Sequence, residues 1–315
     1  MSFSQKTKNE LARIIPKDKC CQLAELAALI RMDGSIHISA DHHMSLGIET
    51  QNAAVARKMY FLGKTLFNLK EEVSVRRNNR LRKNVIYSVK MVPQPGTKKA
   101  LDKLGIDFTP AGYKIHWNSE LVKKRCCQKA YLRGAFLGGG SISNPEQKTY
   151  HLEIITSDSF NDELISELMR NFNIEPKTTW RKKAHVIYLK DSEMIVDFLN
   201  VVGAHSALLN FENIRVHKDV RNRVNRIVNC ETANLNKTVE AGLKQVETIR
   251  YLERSIGLEN LPVGLKEIAR ARLENPEVSL KELGETMEPP LSKSGVNHRM
   301  RRLKRIADKL RGKSS

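Results

Sequence analysis

The sequence predicts an α+β fold: two tandem αββαββα units that form a saddle, followed by an all-α module. Three observations predict it. A ten-residue pattern occurs twice, as Leu26–Ser35 and Leu132–Ser141, with Asp33 and Gly139 in equivalent places 106 residues apart. The likeness extends outward at the same offset, pairing Cys20-Cys21 with Cys126-Cys127 and Leu46–Thr50 with Leu152–Thr156. Val85-Ile86-Tyr87 recurs as Val186-Ile187-Tyr188 at an offset of 101, so the second copy is five residues shorter in a hairpin. Self-similarity of this length marks a duplicated supersecondary unit. Beyond about residue 206 the period-2 runs cease and the chain reads as helices.

Each element has a local reason. A short amphipathic helix starts near Ser4. The first unit opens with a helix over 20–32, then strands at 36–39 and 45–51 whose residues alternate apolar and polar. A helix over 53–67 follows, with Val55, Met59, Leu62 and Leu66 at helical spacing. Strands over 72–77 and 84–92 flank the turn Asn78-Asn79, and a helix after Pro95 closes the unit. The second unit repeats this order: helix 128–137, strands near 150–157, helix 158–171, strands 177–181 and 185–190, helix 191–201. Ala28 and Gly134 are small residues at the seam of the two repeated helices, where they permit an axial approach near the usual 8–10 Å or so. The predicted domains are an N-terminal helix 1–19, repeats 20–107 and 108–205, a basic helical connector 206–260, and a C-terminal module 261–315.

That module reads as three short helices. Pro262 suits a helix start, and 265–273 forms the first. Ser279-Leu280-Lys281-Glu282 is a capping box opening the second, which runs to about Met287. Glu288-Pro289-Pro290-Leu291 interrupts the ladder, and Ser292 starts a third helix through about Leu310. This is helix-turn-helix spacing, in which the last helix enters a major groove by its N-terminal end. From Ser292 to Lys313 there are nine Lys or Arg and one acid, Asp308.

Composition narrows the partner. Lys+Arg number 54 against 35 Asp+Glu, a formal charge of +19 over 315 residues, which favours a polyanion. No run approaches the roughly 20 apolar residues of a membrane span, and the N-terminus lacks a signal peptide's apolar stretch. A soluble, intracellular protein without membrane contact is expected. The five cysteines, two adjacent pairs and Cys230, show no zinc-type spacing and read as reduced structural thiols.

Two resemblances sharpen this reading. The repeated pattern resembles the LAGLIDADG signature of homing endonucleases, in which each motif helix ends in a carboxylate that holds a catalytic metal. Here Asp33 fills one acid position and Gly139 the other. Mg²⁺ needs hard oxygens, so Asp33 alone, with Arg31 nearby, predicts no catalysis, no metal and no cofactor. The whole chain, including Asn229–Thr238 and Leu291–Arg299, resembles the WhiA family of bacterial DNA-binding regulators. That resemblance implies sequence-specific control of transcription linked to sporulation, cell division or chromosome segregation. It also implies a C-terminal module similar to sigma factor region 4, and a cytoplasmic, nucleoid-associated location. Promoter duplex DNA is the expected partner; a regulatory protein and RNA polymerase are left open. Two alternatives stand: a nucleoid scaffold acting through protein or non-specific DNA contacts, and a homing-endonuclease or maturase relative binding RNA.

The residues expected at DNA are Ser279, Lys281, Ser292, Lys293, Ser294, Asn297, His298, Arg299, Arg301, Arg302, Lys304 and Arg305, with Asn297 and Arg299 as base readers. Secondary phosphate contacts are expected from Arg76, Arg77, Arg80, Arg82 and Lys83 in the first unit, and from Arg181, Lys182 and Lys183 in the second. Arg221, Arg223 and Arg226 in the connector complete the set. His37 with Asp41-His42-His43 reads as a polar hairpin, because adjacent strand residues point to opposite faces. Tyr60, Tyr87, Trp117 and Trp180 read as core or sheet-face aromatics.

Overall fold

The computed structural model describes residues 1–38, 44–78, 84–109, 112–115 and 118–312; at 36–38, 44, 78, 84, 107–109 and 112–115 it describes the backbone alone. Asp41, His42, His43, Arg80, Arg82, Lys83 and Trp117 therefore lie outside the described residues or side chains. The chain forms two compact units, 1–217 and 218–315.

The first unit begins with α1 (Phe3–Arg13), whose N-cap Ser2 accepts from the Gln5 amide at 3.2 Å. The first repeat then runs α2 (Lys19–Asp33), β1 (Gly34–Ile38), β2 (Met44–Thr50), α3 (Ala53–Phe67), β3 (Glu71–Asn78), β4 (Asn84–Met91) and α4 (Thr97–Lys103). A hairpin of β5 (Ile106–Thr109) and β6 (Gly112–Ile115) follows, an element the sequence reading lacked. The second repeat is α5 (Arg125–Gly139), β7 (Gly140–Ile142), β8 (Leu152–Thr156), α6 (Ser159–Arg170), β9 (Lys177–Arg181), β10 (Ala184–Leu189) and α7 (Ser192–Val202). The repeats build two antiparallel sheets of the same order, β1-β2-β4-β3 and β7-β8-β10-β9. The expected duplication is thus present in the backbone.

Helix starts and stops have chemical causes. Asn52 caps α3 by accepting from Ala54 and Val55 amides at 2.8 and 3.2 Å, and Asn68 ends it in the left-handed region at φ 52°. Asp191 caps α7 in the same way, and Gly203 ends it at φ 90°. By contrast α2 is apolar on nearly every side and buried from Ala24 to Ile30, the signature of a helix inside a core. It packs along α5 with close backbone contact. A Cβ on Gly134 would lie 2.4 Å from the Glu25 carbonyl oxygen and 2.9 Å from the Ala28 Cβ, so the small residues at the seam set the helix separation. One continuous apolar core spans both repeats, from Leu26, Leu29 and Leu46 to Phe136, Ile154 and Phe198.

At the centre of this core lies an ionic cluster that the sequence did not announce. Glu25 accepts from Arg133 Nε at 3.1 Å and Nη2 at 3.2 Å and pairs with the Lys58 ammonium. Lys58 also donates to the Leu11 and Ile14 carbonyls at 2.9 and 2.7 Å, and Arg133 to Val202 at 3.0 Å. Both cations thus meet carboxylate or carbonyl oxygens, as burial of charge demands.

The basic connector is a single helix, α8 (His205–Ile256), within which the boundary between units falls. The second unit continues with α9 (Val263–Glu274), α10 (Leu280–Glu285) and α11 (Lys293–Arg311). Its own core joins Ile249 and Leu252 of α8 to Leu265, Ile268, Leu283, Val296, Met300 and Leu303.

Candidate nucleic-acid interface

The second unit assembles a helix-turn-helix from local signals. Ser279 accepts from the Glu282 amide at 3.3 Å while Glu282 accepts from the Ser279 amide at 2.8 Å, completing the capping box of α10. Ser292 caps α11 through the Gly295 amide at 3.2 Å. The turn between them is tight. The Leu291 amide donates to Gly284 at 2.9 Å, and a Cβ on Gly284 would come within 2.1 Å of the Leu291 carbonyl. Buried Arg272 donates to the Asn275 and Val278 carbonyls at 3.1 and 2.7 Å, which fastens the end of α9 to the loop before α10.

On α11, Val296, Met300, Leu303 and Ala307 face the core at helical spacing. The opposite side presents Ser294, His298, Arg301, Arg302 and Arg305, all exposed and without an acid among them. Lys293 and Lys304 are also exposed on the flank. The two residues expected to lead base reading sit elsewhere. Arg299 is half-buried and donates to the Gly264 carbonyl of α9 at 3.0 Å; Asn297 is half-buried beside Gln245 and Thr248 of α8. Both positions lie between the buried stripe and the outer face, a distinction of 100° per residue that charge counting overlooks. Ser279 and Ser292 spend their hydroxyls as helix caps, and exposed Lys281 stands 3.8 Å from Glu285.

In the first unit the basic residues divide. Val89 and Met91 of β4 point into the core with their partners Val73 and Glu71 on the same face, so Ser74 and Arg76 of β3, paired with Ser88 and Ile86, lie on the opposite face of the sheet from Arg77. Adjacent arginines cannot share one face, and Arg76 is already paired with Glu49. In the second sheet Arg181 ends β9, and Lys182 and Lys183 form the two-residue turn to β10 at φ 50° and 65°. All three are exposed. The five-residue shortening inferred from the repeat offset falls at this hairpin. Trp180 is 61% exposed and meets the His185 ring edge-on at 4.4 Å, a sheet-face aromatic as expected. Arg221, Arg223 and Arg226 are exposed on α8 among exposed Val216, Val220, Val224 and Ile227.

The ends of α2 and α5 show what became of the paired-acid arrangement. Desolvation raises the Asp33 carboxyl from its ordinary value, with Lys8 of α1 pulling it back. Desolvation in turn lowers the Lys8 amine, against the attraction of Asp33. Lys8 Nζ donates to the Gly138 carbonyl at 3.3 Å, so a protein cation stands where two acids would gather a metal. Across from it Gly139 has no room for a side chain: a Cβ would lie 2.3 Å from the Ile155 carbonyl oxygen. One carboxylate, an ammonium and a sterically closed glycine do not fit a divalent cation that needs hard oxygens.

The comparison with known proteins agrees with this geometry. Residues 19–107 match the WhiA N-terminal LAGLIDADG-like domain, 128–221 the WhiA LAGLIDADG-like domain and 224–307 the WhiA C-terminal HTH domain. The chain is 52% identical to a probable cell division protein WhiA of Heliobacterium modesticaldum, covering 98% of this chain and 96% of that one. The chain belongs to the WhiA family. A second relative of the same name, from Desulforamulus reducens, is 55% identical across 99% of this chain and 97% of its own. Among solved structures, full-length DUF199/WhiA from Thermatoga maritima superposes with a TM-score of 0.58 at 25% identity, covering 98% of this chain and 99% of that chain. The WhiA assignment makes the LAGLIDADG-like domain a degenerate form, and Gly139 with Lys8 is its local expression. Among the described residues no helix is long and apolar enough to cross a membrane.

Proposed function

We propose that this WhiA-family chain is a cytoplasmic, nucleoid-associated DNA-binding regulator that acts on promoters in the control of cell division, without cutting DNA. The outer face of α11 carries the reading. Ser294, His298, Arg301, Arg302 and Arg305 line one exposed helix face directly after a capped, tightly turned helix-turn-helix. Ser294, His298 and Arg301, nearest the N-terminus, take the base-reading roles first assigned to Asn297 and Arg299. Arg302, Lys304 and Arg305 take phosphate. Lys182, Lys183 and Arg181 add a second phosphate contact from the LAGLIDADG-like unit.

Genome-wide occupancy in the native cell supplies the sites, and binding to one such site against scrambled duplex supplies the test. His298→Ala or Arg301→Ala is expected to lower affinity for the site about 5- to 150-fold, the equivalent of 1–3 kcal/mol, with little loss on scrambled DNA. Lys304→Ala is expected to weaken both equally and to reduce the salt slope by about one. Discrimination that survives both outer-face substitutions overturns the assignment. A second reading rests on the apolar residues exposed on α8: Val216, Val220, Val224 and Ile227 favour a protein partner for that segment, such as a regulatory protein or RNA polymerase.

A further inference from the structure

The end of the motif-helix pair remote from Asp33 carries a cluster that DNA binding does not use. Cys20 and Cys21 stand in the first turn of α2, Cys126 and Cys127 in the first turn of α5, and the duplication places the two turns side by side. All four sulfurs lie within 4.8 Å of one another, and Cys21 Sγ is 3.9 Å from Cys127 Sγ. Cys21 and Cys127 are buried with Ala24 and Ala130, while Cys20 and Cys126 are exposed.

Side chains of a helix's first turn lean back toward its N-terminus, so two consecutive cysteines can both aim past the helix end. That explains how vicinal pairs, rather than the familiar CxxC, converge on one point. We infer that Cys20, Cys21, Cys126 and Cys127 form a tetrahedral thiolate site for a structural zinc ion, which pins together the N-terminal ends of the two motif helices.

The geometry matches. Zn–S bonds of about 2.3 Å in a tetrahedron put neighbouring sulfurs about 3.8 Å apart, close to the observed 3.9 Å. The four sulfurs stand too near one another to enclose an iron–sulfur cube, which must itself fit between its thiolates. Four protein ligands leave no open position, so the role is structural. The electrostatics also suit it. Neither helix start has a side-chain cap, and the positive end of each helix dipole favours thiolate. Lys19, Lys124 and Arg125 place positive charge beside a centre that would carry two net negative charges. Metal binding displaces thiol protons, so affinity should fall as pH falls. From Cys20 to Asp33 the helix rises about 20 Å, which separates this site from the former catalytic end.

The test uses the full-length chain, purified under reducing conditions. Elemental analysis is expected to find one zinc per chain. Cobalt(II) added to the zinc-stripped protein is expected to give thiolate charge-transfer absorption and the visible bands of tetrahedral CoS₄ at one equivalent. Cys20→Ser and Cys126→Ser, both at exposed positions, are expected to weaken cobalt binding by on the order of 10²-fold or more and to abolish those bands. Cys230→Ser should change neither. Should a serine variant fail to fold, the cobalt spectrum of the unaltered chain decides alone. The inference is overturned if the reduced chain yields no tetrahedral thiolate spectrum, or if binding is indifferent to Cys20→Ser and Cys126→Ser. It is equally overturned if the native chain carries a Cys21–Cys127 disulfide and, once reduced, takes up no metal.

Discussion

Replacing Glu25 with alanine should destabilise the first unit about as much as the costliest large-to-small changes in the surrounding apolar core. The Glu25 and Lys58 side chains are 0% exposed and that of Arg133 is 10% exposed. Removing the carboxylate leaves two cations facing one another in the core. Lys58 retains the Leu11 and Ile14 carbonyls and can shed its proton, since burial already lowers its amine from 10.5 to about 8. Arg133 has no such escape, because a guanidinium does not deprotonate in proteins. It keeps one bond to Val202 at 3.0 Å and loses two to Glu25. Breaking a buried pair in this way costs about 3–5 kcal/mol. The assay is urea unfolding followed by tryptophan fluorescence. The chain has two tryptophans, Trp117 and Trp180, and both fall within residues 1–217, so the signal reports on that unit. A loss below about 1 kcal/mol with an unchanged m value would refute the reasoning. The combined change of Glu25, Lys58 and Arg133 to methionine should recover most of the loss, because it removes the charges together with their desolvation cost.

Other consequences are open to measurement. Lys58 has a lower pKa in the folded than in the unfolded chain, so its burial penalty is full below pH 8 and relieved as pH rises toward 10.5. Relative to Lys58→Met, the unaltered protein should therefore gain up to about 3 kcal/mol across that window, and a flat difference would contradict it. Gly139→Asp restores the missing acid in sequence only: the Cβ meets the Ile155 carbonyl, so lower stability and no metal-dependent nicking of DNA are expected. Nicking in the presence of Mg²⁺ would show that the site can reopen. Lys183→Gly relieves a non-glycine residue at φ 65° and should stabilise the unit by about 1 kcal/mol. The same substitution should lower the salt slope of DNA binding by about one if the turn contacts phosphate.

Much of the architecture is legible in the chain because it depends on local or periodic signals. The 106-residue repeat exposes the duplication, and α3 spans the residues its apolar spacing indicates. Ser279, Glu282 and Ser292 announce the capped helices of the helix-turn-helix module from the sequence, since capping is chemistry within four residues. The loss of the second acid is likewise a statement about one letter, Gly139. The facing of α11 was only half legible. Its charge is plain in composition, but whether Arg299 or His298 points outward depends on where α9 and α8 lie against it.

What the tertiary structure alone decided are the meetings of residues far apart in sequence. Glu25 finds Arg133 across 108 residues, Lys8 reaches Gly138 across 130, and Cys21 comes to Cys127 across 106. No local propensity encodes such pairs, because each partner is ordinary in its own segment. They form when the glycine and alanine seam lets α2 and α5 close on one another, and burial then requires every charge and sulfur in that seam to find a counterpart.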